Sequence, residues 1–508
     1  MLDNNANNKR IAKNTLLLYA RMLYSLFISL FTSRVILEAL GFEDYGLYNV
    51  VGSVVAMFIF LRSAMGNSVH RFITYALGKG DEKKLSDIFS MSLMIHTGLA
   101  LLIVLLCETV GLWFLNSLMT IPEGREIAAN WVFQFSVLSC ALSVICVPYD
   151  AEIIAHERMG IFAVIQVLNS TLNLAIAYTV KYFVYDRLIF YALLLLLIQV
   201  LNRILYGVYC DKNFQETKFH WVKDKVLFKE MTSFAGWSLF GNMAYVGFTQ
   251  GQNILLNIFF GPVVNAARGV AVSIQSGVKG FVTNFQMALN PQITKSYAHE
   301  DFERLHNLIY DSSKLSLCLL WCMVLPVFVE AEVLLQLWLN EVPQYASIFL
   351  RFIVIIMMFD ALESPLSTAI CATGRIKKYQ IIEGSLLLFI IPISYCAILW
   401  TNRPEIVFCV HLCIVVLAQC VRVLFARSMI GLSASKYIVS VALPSFVTIA
   451  VSSFITFYSV AKIGDSTEMF LVKCVFCVII AVGSSYVFAL SKKERAFINN
   501  KIKGIIRK

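Results

Sequence analysis

Charge is scarce in this sequence. Asp, Glu, Lys and Arg together make up 15% of 508 residues, proline occurs 10 times and histidine 7 times. So little charge excludes a soluble protein of this length, whose surface must be largely polar. The histidines, at positions 70, 96, 156, 220, 299, 306 and 411, are scattered and form no HExxH or comparable ligand set, so no metal centre is expected. No glycine-rich phosphate cradle, nucleophile elbow or dinucleotide fingerprint is present. Neither catalytic residues nor a cofactor are therefore expected, and the chain does not read as an enzyme. The 13 cysteines lie mostly inside apolar runs. Cys474 and Cys477 have CxxC spacing, but in an apolar run without a partner cluster this reads as packing rather than metal or redox chemistry. Long loops are missing too: the longest connection spans about residues 211–229.

What the sequence has instead is apolar length. It is 58% hydrophobic, with a mean hydropathy of +0.73. Apolar runs of bilayer-spanning length recur throughout, which predicts an all-α polytopic membrane protein. About fourteen spans are expected, near 14–37, 46–68, 88–116, 128–149, 161–183, 188–209, 231–258, 264–288, 309–337, 346–370, 379–400, 405–426, 438–460 and 469–490. The polar start MLDNNANNKR and the length of the first apolar run argue against a cleavable signal. A net charge of +10 suggests nucleic acid in a soluble chain, but its placement here points to a membrane. With the N-terminus in the cytoplasm, only Arg125, Lys181, Arg187, Arg403 and Lys462 fall in loops on the opposite side. Most other Lys and Arg gather on the cytoplasmic side, which predicts that both termini are inside. The basic tail, 492–508, suits anionic lipid headgroups.

The chain repeats internally. HRFITYALGKGDEKKLSDI, from His70, aligns with NPQITKSYAHEDFERLHNL, from Asn290. Ile73, Thr74, Asp81 and Leu85 meet Ile293, Thr294, Asp301 and Leu305, Lys84 meets Arg304, and Gly41 meets Gly261, at an offset of about 220 residues. PYDAEIIAHER, from Pro148, matches PLSTAICATGR, from Pro365, at an offset of about 217. Spans one to six and seven to twelve are thus two copies of one six-helix unit. An even number of crossings makes the copies parallel, related by a pseudo-two-fold axis along the membrane normal. The expected organisation is an N-lobe over 1–210, a cytoplasmic linker over 211–229, a C-lobe over 230–427, two added helices over 428–491 and the tail. Such repeats belong to alternating-access transporters, whose substrate path runs between the bundles. Pro148 and Pro365 are expected to end their spans, as hinges or as plain helix stops. The motifs GKGDEKKLSDI and AHEDFERLHNL are expected as amphipathic or solvated connectors on the cytoplasmic side.

Polar residues concentrate on a few spans. In NAARGVAVSIQSGVKGFVTNFQ, from Asn265, the residues Arg268, Val272, Gln275, Ser276, Lys279, Thr283 and Gln286 share one helical stripe. Two cations about 16 Å apart on a membrane helix must face water or an anion. Span seven adds Asn242, Tyr245, Thr249, Gln252 and Asn253 on one face, span one adds Arg21, Ser25, Ser29 and Thr32 with Arg34 near its outer end, and span two adds Arg62, Ser63 and Asn67. Placing Arg21, Arg34, Arg62, Arg268 and Lys279 in a bilayer costs roughly 12–17 kcal/mol before compensation. Within these spans the only acid is Glu38, at the outer end of span one. The cations are therefore expected to lack acidic partners and to await a phosphate or diphosphate, for which Arg offers a two-pronged donor. The plainer reading is that Arg21 and Arg62 snorkel to the cytoplasmic edge. Asp360 and Glu363, with Glu383 beyond them, form either a proton or sodium coupling site or ion pairs with Arg351, Arg422 or Lys473.

The chain resembles the polysaccharide-export branch of the multidrug/oligosaccharidyl-lipid/polysaccharide exporter superfamily, which includes the Wzx-type O-antigen flippases. The resemblance covers about residues 8–490 and rests on NTLLLYARMLYSLFISLFTSRVILEALGFEDYGLYNVVGSV, the repeated cytoplasmic motif and PLSTAICATGR. Its most specific part is the run of Arg34, Leu40-Gly41 and Tyr45-Gly46-Leu47-Tyr48. The resemblance implies a fourteen-helix, two-lobed fold around a central cavity, in a bacterial inner membrane. It implies a substrate of undecaprenyl diphosphate carrying an oligosaccharide repeat unit for lipopolysaccharide or another surface polysaccharide. Related lipid II flippases use basic residues on helices one, two and eight. Arg21, Arg62 and Arg268 are the counterparts by helix, with Lys279 and Arg34 as further diphosphate contacts. Asn242, Tyr245, Gln252, Asn253 and Gln275 are the candidate sugar contacts. Expected partners are the lipid-linked substrate, membrane lipids, H+ or Na+ for coupling and other polysaccharide-assembly proteins, with no nucleic acid. A cation-coupled drug antiporter of the same fold is the main alternative; it needs an essential acid facing the first-lobe cavity. A membrane polysaccharide polymerase needs a larger extramembrane loop than this chain offers.

Overall fold

The computed structural model describes residues 4–56, 59–117, 121, 123–339, 342–460, 469–491, 494–496 and 499. Most of the expected basic tail, and Lys462, lie outside them. Among the described residues every regular element is helical. The first unit holds α1 (Asn4–Ala56), α2 (Ile59–Lys79), α3 (Glu82–Leu106), α4 (Leu112–Ser117), α5 (Glu126–Ile145), α6 (Val147–Ala155), α7 (Met159–Lys181) and α8 (Arg187–Asn213). Next comes α9 (Lys225–Ala298), followed by α10 (Phe302–Val329), α11 (Ala331–Trp338), α12 (Ala346–Ala372), α13 (Lys377–Leu388), α14 (Ile390–Thr401), α15 (Ile406–Ile430), α16 (Ala434–Tyr437), α17 (Leu443–Val460) and α18 (Phe470–Ser484). The chain divides into two compact units, Met1–Asn242 and Met243–Lys508, with the boundary inside α9.

All fourteen expected spans fall on helices. Ten helical segments among the described residues are long and apolar enough to cross a membrane. Lys225–Ala298 and Ala346–Ala372 are not among them. These helices carry Arg268, Lys279, Arg351, Asp360 and Glu363, and the polar side chains dilute their apolar character.

The repeat is written into the backbone. In α1 the helix breaks at Gly41 (φ 77°, ψ 171°), and in α9 at Gly261 (φ 79°, ψ −177°). These two aligned glycines adopt the same conformation, one that a Cβ disfavours. Gly80 (φ 70°) and Glu300 (φ 60°) match in the same way, as do Glu157 (φ 59°) and Gly374 (φ 78°). Asp81 caps α3 by accepting the Lys84 amide at 3.0 Å, and Asp301 caps α10 by accepting the Arg304 amide at 3.0 Å. These caps correct one expectation. GKGDEKKLSDI and AHEDFERLHNL are not connectors, because each holds only a tight turn followed by the first turns of a membrane helix.

A second correction concerns the prolines. Neither ends its span: Pro148 opens α6, which runs on to Ala155, and Pro365 sits inside α12, which runs on to Ala372. A proline removes one backbone donor, and membrane helices tolerate this where neighbouring helices pack around the site. The α5 helix ends at Ile145 and α6 begins at Val147, so the break on the Pro148 side is a single residue, Cys146.

In the first unit α1 packs along α7, and α5 along α8. In the second, α12 packs between α10 and α15. The first core gathers Val51, Ile103, Val132 and Phe133, and the second gathers Leu317, Trp321, Phe349 and Phe408.

Candidate functional site

In the first unit, α1, α2, α5, α6, α7 and α8 surround a hollow of about 540 Å³. Its wall is mostly neutral and polar: Ser136, Ser139, Ser143, Gln166, Asn169, Asn173, Gln199, Asn202, Tyr48 and Tyr206 line it. Asn169 and Asn202 each leave a buried side-chain oxygen without a hydrogen-bond partner among the described residues. A buried acceptor left unmet costs a few kcal/mol, about 1–3 by protein mutational data, so these two oxygens weigh against the stability of the wall. Among the described residues that line the hollow, two are charged. Arg62, on α2, and Asp150, on α6, pair at 3.4 Å, with 42% and 17% of their side chains exposed. A smaller hollow of about 240 Å³ shares Tyr48 and Asn173 and is lined by Ser25, Ser29 and Thr32 of α1. Three residues of the span-one stripe thus line a polar space, and Arg21 is not among its lining residues. The Arg21 guanidinium lies 5.4 Å from the centre of the Phe162 ring, and Arg34 is exposed.

In the second unit the stripe is occupied. Arg268 is 5% exposed and donates to Asn253 Oδ1 and, at 3.1 Å, to the Thr249 carbonyl. Lys279 pairs with Asp360 at 3.3 Å and lies 5.7 Å from the centre of the Tyr245 ring. Gln286 donates to Ser316 Oγ at 3.2 Å and to the Ala361 carbonyl at 2.9 Å. Span seven is not one uniform polar face: Tyr245 is 46% exposed, while Gln252 is 1% exposed. Asn253 also donates to Gln250 at 3.1 Å, Gln275 is half-buried, and the Asn242 amide nitrogen is buried with no partner among the described residues.

The expectation that the intramembrane cations lack acidic partners therefore fails at two of them. Arg62 finds Asp150 and Lys279 finds Asp360, acids from spans four and ten. An acid search confined to the cations' own spans misses partners that only helix packing supplies. Glu363, Glu383, Glu330 and Glu332 also pair. Arg422, 2% exposed, contacts Glu363 at 3.0 Å and Glu383 at 2.6 Å. Lys473 meets Glu330 at 3.4 Å, and Arg351 meets Glu332 at 3.4 Å.

Sequence reasoning missed one cluster. Glu152 and His156, one turn apart at the end of α6, meet Glu216 from the segment between α8 and α9. The Glu–x3–His spacing was visible in the sequence, but Glu216 lies 60 residues on and arrives only by folding.

The profile of a family described as "Polysaccharide biosynthesis protein" matches residues 11–297, and that of the MatE family matches residues 238–396. No curated protein matches. Solved structures share the fold. A MATE transporter in its bent conformation superposes with a TM-score of 0.72 at 15% identity, covering 84% of this chain and 96% of that one. An outward-facing multidrug-resistance MATE transporter gives 0.70 at 14%, covering 83% and 96%. A MOP-superfamily transporter from Pyrococcus furiosus, described as having a binding pocket of reverse polarity, gives 0.67 at 14%, again covering 83% and 96%. The chain thus shares the fold of these transporters. With more than half its length matched, the chain belongs to the polysaccharide biosynthesis protein family.

Proposed function

We propose that this protein is a flippase. It carries an undecaprenyl-diphosphate-linked oligosaccharide repeat unit, of O-antigen or another surface polysaccharide, from the cytoplasmic to the periplasmic leaflet of a bacterial inner membrane. It works by alternating access, with both termini in the cytoplasm. The observation that carries this reading is the wall of the first unit's hollow. Hydroxyls and amides offer donors and acceptors together, which is what a polyhydroxylated sugar needs. The volume of about 540 Å³ falls within the range of small-ligand pockets, about 300–1,000 Å³. A cationic drug needs an acid without a countercharge, and the one acid in that wall faces Arg62.

Arg62 and Lys279 are the diphosphate contacts best supported, since each is partly exposed and held by one carboxylate that a phosphate oxygen can replace. Arg268 reaches phosphate only by giving up Asn253 and Thr249. Arg21 and Arg34 extend positive charge along α1. Asn242, Tyr245, Asn253 and Gln275 are sugar contacts in this reading, and Gln252 joins them only on moving out of its buried position. Release of Asp360 from Lys279, with Glu363 beside it, gives a site for a coupling H+ or Na+. Pro148 and Pro365 are the bending points. Membrane lipids and other polysaccharide-assembly proteins are the remaining partners. The test is to replace Arg62 with Ala, and Arg268 and Lys279 with Ala together, and to measure surface polysaccharide and trapped lipid-linked precursor. Loss of export supports the reading; normal export at normal protein levels overturns it.

The MatE match over residues 238–396, together with Asp360 and Glu363, favours a second reading as a cation-coupled drug antiporter. Raised drug susceptibility with intact surface polysaccharide in a deletion strain would select it.

A further inference from the structure

The cluster at the end of α6 takes no part in the proposed transport cycle. Glu152 Oε1 lies 3.2 Å, and Glu216 Oε1 2.8 Å, from one atom, His156 Nε2. The three ligating atoms fall within 4.8 Å of one another. A single ring nitrogen supplies at most one proton, so it cannot satisfy two carboxylates. The Glu152 side chain is fully buried, and its other oxygen, Oε2, has no hydrogen-bond partner among the described residues. Glu216 is 14% exposed and His156 23%. Two largely buried carboxylates set against a single imidazole nitrogen are short of positive charge.

We propose that Glu152, His156 and Glu216 bind a divalent transition-metal ion of the Zn2+ class. One imidazole nitrogen and two carboxylate oxygens form a borderline donor set that suits Zn2+, Co2+ or Ni2+ better than Ca2+ or Mg2+, which take oxygen alone. Three protein ligands leave a fourth position for water. Supporting contacts orient the ligands. The Phe214 ring stacks on His156 at 4.2 Å and 15°, and Ser86 Oγ donates to the Glu216 carbonyl at 3.2 Å. The ion fastens the segment that joins α8 to α9 onto the end of α6, and so stiffens the connection that leads from one six-helix copy into the next.

The test uses the full chain in detergent, carrying a tag without histidines and stripped of metal, titrated calorimetrically with ZnCl2 and spectroscopically with Co2+. One Zn2+ per chain, visible absorption bands of low-symmetry Co2+, and slower amide exchange over 214–224 on adding Zn2+ are expected. In His156→Ala and Glu216→Gln the affinity is expected to fall at least about tenfold. Glu216→Gln keeps the side chain's shape, and matching metal-free melting curves verify its fold. Absence of stoichiometric binding by the unaltered chain, or equal binding in both variants, overturns the proposal.

Discussion

The two units repeat one backbone plan and fill it differently. Both break a long helix at a glycine of positive φ, and both open a later helix, α3 and α10, under an aspartate cap. Yet the first unit keeps a polar hollow with one partly exposed ion pair in its wall, while the second, besides its own partly exposed pair of Lys279 and Asp360, buries Arg422 against Glu383 and Lys473 against Glu330. In the second unit Arg422 is nearly inaccessible between Glu363 and Glu383, and Lys473 and Glu330 are 2% and 7% exposed. The lesson is that the turns and caps of a repeat are held by local geometry, whereas the polar interior is free to diverge into a receiving surface in one copy and an electrostatic brace in the other.

The sharpest way to break this comparison is to remove one cation from each unit. Arg422→Met leaves Glu383 buried without countercharge and is expected to cost about 3–5 kcal/mol, seen as a lowered melting temperature or loss of monodisperse protein. Arg62→Met leaves Asp150 beside a polar hollow and is expected to cost less, about 1–3 kcal/mol. Equal costs would erase the distinction between brace and hollow. The shared plan is tested at the glycines. Gly41→Ala and Gly261→Ala meet no neighbouring atom within 4 Å, so each is expected to show backbone strain alone, about 1–3 kcal/mol, and similar values in the two units. A large disparity would mean that the two breaks are not equivalent.

The hollow is tested by filling it. Asn169→Leu with Asn202→Leu removes two unmet oxygens, so the melting temperature is expected to hold or rise while export falls about tenfold, roughly 1.4 kcal/mol of binding. Full export would show that the polar wall is only hydrated packing. The smallest effect expected is on pH dependence, at a feature of the first unit outside its membrane helices. Arg125 bridges Asp44 and Asp186, at 2.6 Å to each. Burial pushes the Asp186 carboxyl up, but Arg125 and the amides of Ile189 and Leu188 outweigh it and hold it below the usual carboxylate range. A depressed carboxyl contributes stability above its unfolded value, about 3.9, and loses it as pH falls through the folded value. Melting temperature should therefore drop below about pH 4, and Asp186→Asn should flatten that limb. An unchanged acid limb in the variant would remove Asp186 from the account.

Much of the fold was legible because its signals are local. Apolar runs longer than a bilayer need place helices without knowledge of their neighbours. The alignment of Asp81 with Asp301 and of Gly41 with Gly261 was legible as a repeat, and the structure gives each pair one local geometry, because caps and positive-φ turns depend on a few adjacent residues. Pro148 and Pro365 read as helix ends, but Pro148 sits in the first turn of a new helix, where its missing amide costs nothing, and α12 runs on past Pro365 to Ala372. Where the reading of charge failed, the deciding contact was remote. Lys279 read as an unpaired cation until α12 brought Asp360 beside it.

The sequence by itself determined a polytopic helical chain made of two copies of one unit, because hydrophobic length, capping residues and glycine turns act within a few residues of where they are written. Only the tertiary structure decided which charges are cancelled, which oxygens stay unmet in the hollow and that Glu152, His156 and Glu216 converge. Those outcomes depend on which helices pack together across long stretches of chain, and no periodicity along the sequence encodes that pairing.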